Sequence, residues 1–146
     1  MQQQSAVTQD ELLAPAPDAG VFSVLDDVEC SSLLHDGVIG RVAFADPDLV
    51  ILPVTYDWVD GVVVFRTSPS SSLARLPGQV VAFEVDDIDA ETGVGWSVLL
   101  SGRVGEGTPA QAEQVTPWAA GDRPLVLTIT PTALSGRVVS RPEEEA

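Results

Sequence analysis

The stretch LVILPVTYDWVDGVVVFRT, residues 49–67, decides the fold. Leu49 to Trp58 and Val62 to Thr67 are rich in Val, Ile, Thr and aromatic residues, the side chains that fit a pleated, half-buried surface. Between them sits Asp60-Gly61, a pair suited to a tight hairpin turn in which both central residues take positive φ. Upstream, Val38 to Ala45 is another β-type run, joined by the turn Asp46-Pro47-Asp48. Downstream, Gln79 to Asp86, Trp96 to about Gly105, Leu125 to Thr130 and Ser135 to Val139 repeat the pattern, with Asp87 to Gly95 expected as a polar loop. Helices are few. Asp26 caps a helix with Glu29 three residues on, Val28, Leu33 and Leu34 follow at helical spacing, and Gly37 stops it. A short helix is expected over Leu73 to Leu76, and another over Pro109 to Ala119 with Thr108 as its cap. Six or so antiparallel strands with short turns give a mainly β protein, a small β-barrel or sandwich with a few short helices.

A chain of 146 residues is the size of one domain. Residues 1–20 are Gln-, Ala- and Pro-rich and are expected to be a flexible segment; residues 21–140 form the folded domain, and 141–146 an acidic tail. Acidic residues outnumber basic ones 22 to 7, for a formal charge of −15. All the basic residues are Arg, so mechanisms that need an amine side chain are excluded: no Schiff base, no Walker lysine, no Ser-Lys dyad. The same balance argues against nucleic acid and against anionic membrane surfaces. A lone cysteine, no secretory leader and no long apolar run point to a soluble, cytoplasmic protein.

Most candidate chemistry fails on inspection. His35, the one histidine, falls late in the first helix, where an imidazole suits the helix C-terminus better than a catalytic triad. Cys30 lies in the same helix with no cation beside it and is expected to be a buried small hydrophobe. Asp26-Asp27 and Asp86-Asp87 lack the spacing of a calcium loop, so no metal is expected. Gly93-Val94-Gly95 has neither the third glycine nor the helix of a dinucleotide fingerprint.

The informative segment is Arg66-Thr67-Ser68-Pro69-Ser70-Ser71-Ser72-Leu73, where a strand ends in a guanidinium and hydroxyls and a helix begins. Such a loop offers donors to a phosphate monoester, or the serines simply cap the helix.

Glu29-Cys30, Leu33-Leu34-x-x-Gly37-x-x-Gly40-Arg41-Val42-Ala43, Leu52-Pro53-Val54-Thr55-Tyr56 and Val64-Phe65-Arg66-Thr67 resemble the pyridoxamine 5′-phosphate oxidase-like family of flavin-binding split barrels. Val81 to Asp86, the segment Gly95-Trp96-Ser97-Val98 to Gly102-Arg103, Pro117-Trp118 and Ser135-Gly136-Arg137 continue the match in order. The resemblance implies a six-stranded antiparallel FMN-binding split barrel, a homodimer with FMN at the subunit interface, and oxidoreductase activity on a small-molecule substrate. It places the flavin phosphate at Arg66, Thr67, Ser70, Ser71 and Ser72, the ring along Val54, Thr55 and Tyr56, and Trp96 near the cofactor. Where the family carries a phosphate-loop lysine this chain has Ser72, and Arg75, one helical turn on, is the candidate to replace its charge. Tyr56, Trp58 and Trp118 are candidates to line a substrate face, or simply to pack the core. The alternative is a cofactor-free barrel that binds a small molecule or a protein partner; a deazaflavin or haem in the same barrel also stays open.

Overall fold

The hairpin forms as its residues dictate. Asp60 and Gly61 sit at φ 51° and 79°, the left-handed pair of a two-residue turn, and Val59 faces Val62 across it. The computed structural model describes residues 22–117 and 121–142. The expected segment 1–20, residues 143–146 of the tail and Trp118 lie outside the described residues.

In chain order the elements are β1 (Phe22–Leu25), α1 (Asp27–Asp36), β2 (Ile39–Ala45), β3 (Leu49–Val59), β4 (Val62–Thr67), a 3₁₀ turn (Ser72–Arg75), β5 (Val80–Asp89), β6 (Val94–Glu106), α2 (Pro109–Glu113) and β7 (Leu125–Ser140). The strands run in the order β1-β7-β4-β3-β2-β5-β6, and β6 pairs again with β7. That second pairing closes the six strands β2 to β7 into an antiparallel ring, with β1 added to the far end of β7. The expected mainly β barrel is therefore present, with seven strands rather than six. β1 was not anticipated; it pairs Phe22 to Leu25 with Gly136 to Val139.

Two expected strands at the C-terminal end are one. β7 runs unbroken through Pro131, because a register shift between Ser101 and Gly102 leaves Thr132 as an extra residue, so the proline needs no ladder N–H. The polar loop after β5 is also shorter than expected: Asp87, Ile88 and Asp89 pair with Trp96, Gly95 and Val94. Asp89 then makes the turn itself, accepting from the amides of Glu91 and Thr92.

Alternation along the strands sends Val42, Phe44, Val54, Tyr56, Val63, Phe65, Phe83, Val98, Leu100 and Ile129 into the barrel interior. In α1 the buried pair is Cys30 and Leu34, four residues apart on one face, whereas Val28 is 79% exposed. Asp26 and Glu29 form the expected reciprocal cap, and Gly37 ends the helix in extended conformation. Thr108 and Gln111 cap α2 the same way, but that helix stops at Glu113, well short of the expected end. Among the described residues no helix is long and apolar enough to cross a membrane.

Candidate functional site

β4 delivers Arg66 and Thr67 to one end of the barrel, and the loop that follows folds Ser71 and Leu73 back beside them. These residues, with Ile39 of β2, Leu52 to Thr55 of β3, and Pro117 and Arg123 from the segment between α2 and β7, line an open cavity of about 290 Å³. Its wall is apolar on the β2–β3 side and polar at the β4 end. Among the described residues, Arg66 and Arg123 are the charged ones in that lining, and no carboxylate joins them. In a chain of net charge −15, a cavity with two guanidiniums and no acid is a local inversion of the overall field.

Among the described residues, two buried polar atoms at this end have no hydrogen-bond partner: Thr67 Oγ1, on a residue 1% exposed, and Arg123 Nε. Buried hydroxyls and guanidinium N–H groups are normally satisfied, so an orphaned pair beside an acid-free cavity fits an anionic ligand such as a phosphate ester. Arg66 is less free. Its Nε donates to the carbonyl of Arg123 at 3.0 Å and its Nη1 to the carbonyl of Val115 at 3.4 Å, so it ties both flanks of residues 116–122 to β4.

The expected site residues divide accordingly. Val54, Thr55, Arg66, Thr67 and Ser71 meet at the cavity. Ser70 is exposed and its hydroxyl pairs with that of Ser68 at 3.1 Å. Ser71 Oγ accepts from the amide of Leu73, and Ser72 begins a single 3₁₀ turn, too short to present a helix dipole. Arg75 does not reach back: it is an exposed side chain paired with Asp46. Tyr56 points the other way from Thr55, into the core, where its hydroxyl donates to the carbonyl of Leu34 at 2.6 Å. Burial, with Asp57 and Asp36 adding to it, raises its pKa, so it stays a neutral phenol. Trp58 packs partly buried against the core. Trp96 lines a second cavity of about 340 Å³, with Asp36, Arg41, Asp86 and Asp87, which meets the first at Ile39. Arg123 escaped the sequence reading, since nothing in Gly121-Asp122-Arg123-Pro124 ties it to Arg66, 57 residues away. Cys30 is fully buried and its thiol is pushed up by burial and by Asp27, Asp26 and Glu29, so it is held protonated and out of reach.

Arg41 of β2 bridges Glu84 and Asp86 of β5 at 3.1 and 3.4 Å. One guanidinium cannot neutralise two carboxylates, and Glu84 Oε1 is buried without a partner. Burial, then the hydrogen bond and charge of Asp86, push Glu84 up to about 7 against the opposing pull of Arg41. A carboxyl raised on folding contributes stability that is full below its unfolded value near 4.5 and lost as pH rises through about 7. Glu84→Gln is therefore expected to be more stable than the wild type at pH 8, by about 1–2 kcal/mol after solvent screening at its exposed edge. The gain should fade towards pH 4–5; chemical denaturation at both pH values checks it, and an equal effect at both would refute the assignment.

The family model for pyridoxamine 5′-phosphate oxidase matches residues 26–138, from the α1 cap to within two residues of the end of β7. The chain belongs to the pyridoxamine 5′-phosphate oxidase family. A relative, the uncharacterized protein Rv0080 of Mycobacterium tuberculosis, is 34% identical over 131 residues, covering 80% of this chain and 85% of its own. Among solved structures, the FAD binding protein from Mycobacterium smegmatis superposes with a TM-score of 0.65 at 25% identity, over 81% of this chain and 98% of that one. An FAD-binding protein from Mesorhizobium loti shares the fold at 20% identity, with a TM-score of 0.68 over 84% and 99% of the two chains. The pyridoxamine 5′-phosphate oxidase architecture is thus the split barrel expected from residues 29–137.

Proposed function

We propose that this chain is a flavin-dependent oxidoreductase of the pyridoxamine 5′-phosphate oxidase family, with FMN as its cofactor. The observation that carries the reading is the acid-free cavity in which Thr67 Oγ1 and a guanidinium nitrogen are buried without partners. Family membership and the M. smegmatis FAD binding protein support the flavin. Arg66, Thr67 and Ser71 hold the phosphate end. The apolar wall of Ile39, Leu52, Pro53, Val54 and Thr55 receives the ring and excludes water from one of its faces. The bound flavin supplies hydride and electron transfer; the protein binds, orients and shields it.

The working unit we propose is a cytoplasmic homodimer with the cofactor at its interface. Leu49 and Ile51 of β3 are 89% and 65% exposed, and Val80 of β5 is 57% exposed. Between them the register aligns Ile51, Ala43 and Ala82 across β3, β2 and β5, an apolar band beside the cavity. A contiguous exposed apolar face of this kind marks an association surface.

A titration of purified protein with FMN and FAD tests both parts. The expected result is a visible flavin spectrum, a melting temperature that rises with FMN, and a solution mass twice that of one chain. Protein that stays colourless and gains no stability from either flavin would overturn the flavin reading. With a retained dimer, that outcome favours the cofactor-free barrel instead. FAD binding in preference to FMN would keep the flavin and correct its identity.

A further inference from the structure

We propose that Arg123, rather than any residue of the serine loop, supplies the charge that the absent phosphate-loop lysine would have carried, and that it sets the preference for a phosphorylated flavin. The inference rests on the flavin reading above and adds the residue that recognises the anion.

The argument begins with Arg66. A guanidinium has five N–H donors. Arg66 commits its Nε and one Nη1 donor to the backbone carbonyls of Arg123 and Val115. Its first task is structural: it fixes the approach of the segment before β7 to the end of β4. The carbonyl it holds at 3.0 Å belongs to Arg123, so Arg66 sets the backbone position from which the Arg123 side chain departs. Arg123 then lines the same cavity as Thr67 with its own Nε buried and unspent. A buried guanidinium nitrogen without an acceptor is costly, and no carboxylate in the lining can answer it. A phosphate oxygen would.

The other candidates are engaged elsewhere. Arg75 is paired with Asp46, and Arg41 with Glu84 and Asp86. Arg103 donates to the carbonyl of Gly78, and Arg141 to that of Glu91. None of these lines the cavity. Arg123 is a specificity residue in this scheme, and Arg66 a positioning residue for it as well as a second positive charge.

The test uses the full chain freed of any flavin it carries, with Arg123→Gln and Arg123→Lys, titrated with FMN and with riboflavin, which lacks the phosphate. Arg66 grips the carbonyl of residue 123, not its side chain, so Arg123→Gln should melt within about 2 °C of the wild type. FMN should bind Arg123→Gln about 10- to 100-fold more weakly than the wild type, while riboflavin affinity stays within about twofold. Arg123→Lys, which restores charge without the fork, should recover part of the FMN preference. Unchanged FMN affinity in Arg123→Gln overturns the inference alone, and so does an equal loss for both flavins. A wild type that binds neither flavin overturns the flavin reading and this inference with it.

Discussion

Phe83→Ala is expected to remove about 3–5 kcal/mol of folding stability, a large share of what a domain of this size has. Phe83 is fully buried in β5 and meets the ring of Tyr56 edge-on, with centroids 5.0 Å apart and planes at 79°. That geometry adds about 0.5–1.5 kcal/mol to area burial. The void could not be filled from the neighbouring strand, because the residue against the ring is Gly40: a Cβ there would stand 2.1 Å from Phe83 Cζ. Strand movement is resisted too, since Phe83 is paired with Val42 on one side and Leu100 on the other. The cavity therefore stays open and its full cost is felt. The loss also loosens Tyr56, whose hydroxyl ties β3 to the last turn of α1. Denaturant unfolding at neutral pH measures the change. A loss under about 1 kcal/mol would mean that the barrel interior closes over the gap and that the core is not centred on this ring.

That Gln79 to Asp86 forms a strand was legible from its composition; how the sheet closes was not. The Asp-Gly hairpin, the α1 capping box and the strand runs are local signals, set within a few residues by turn chemistry and period. The misreadings came where tertiary pairing overrides local preference. Asp87 and Asp89 have poor strand propensity, yet the ladder with β6 carries them, both of them exposed. Pro131 should interrupt a strand, and the extra residue Thr132 opposite Ser101 and Gly102 lets it stay. β1 is too short to announce itself and exists because β7 offers a free edge at Gly136 to Val139.

The candidate site divides in the same way. Arg66 and Thr67 could be named because they end a strand and open a hydroxyl-rich loop, a pattern contained in consecutive residues. That Tyr56 faces inward while Thr55 lines the cavity follows from strand parity, once the register of β3 is fixed by its partners. Helical spacing points to Arg75, but its segment is a single 3₁₀ turn and Asp46 lies close enough to capture it. Arg123 comes from a part of the chain that the Arg66 side chain holds to β4 through backbone carbonyls, and no periodicity can reveal such a contact.

Arg66→Ala should have the largest effect on cofactor binding. Two losses coincide in it. The carbonyls of Arg123 and Val115 lose their donors, and Val115 is 4% exposed, so its oxygen has little water to turn to. An orphaned buried carbonyl costs about 1–3 kcal/mol. At the same time the cavity loses one of its two guanidiniums and the restraint that places the other. FMN affinity should therefore fall about 100-fold or more, the sum of a lost charge-assisted contact and a misplaced one. Arg66→Lys separates the two effects. It keeps the charge, but a single ammonium cannot span carbonyls that Arg66 reaches with different arms of its fork. That variant should lose stability much as Arg66→Ala does while retaining more FMN binding. If Arg66→Ala binds FMN like the wild type, the phosphate end of the flavin lies elsewhere. If it loses FMN with no loss of stability, Arg66 touches the ligand but is not the clamp that its two backbone hydrogen bonds make it.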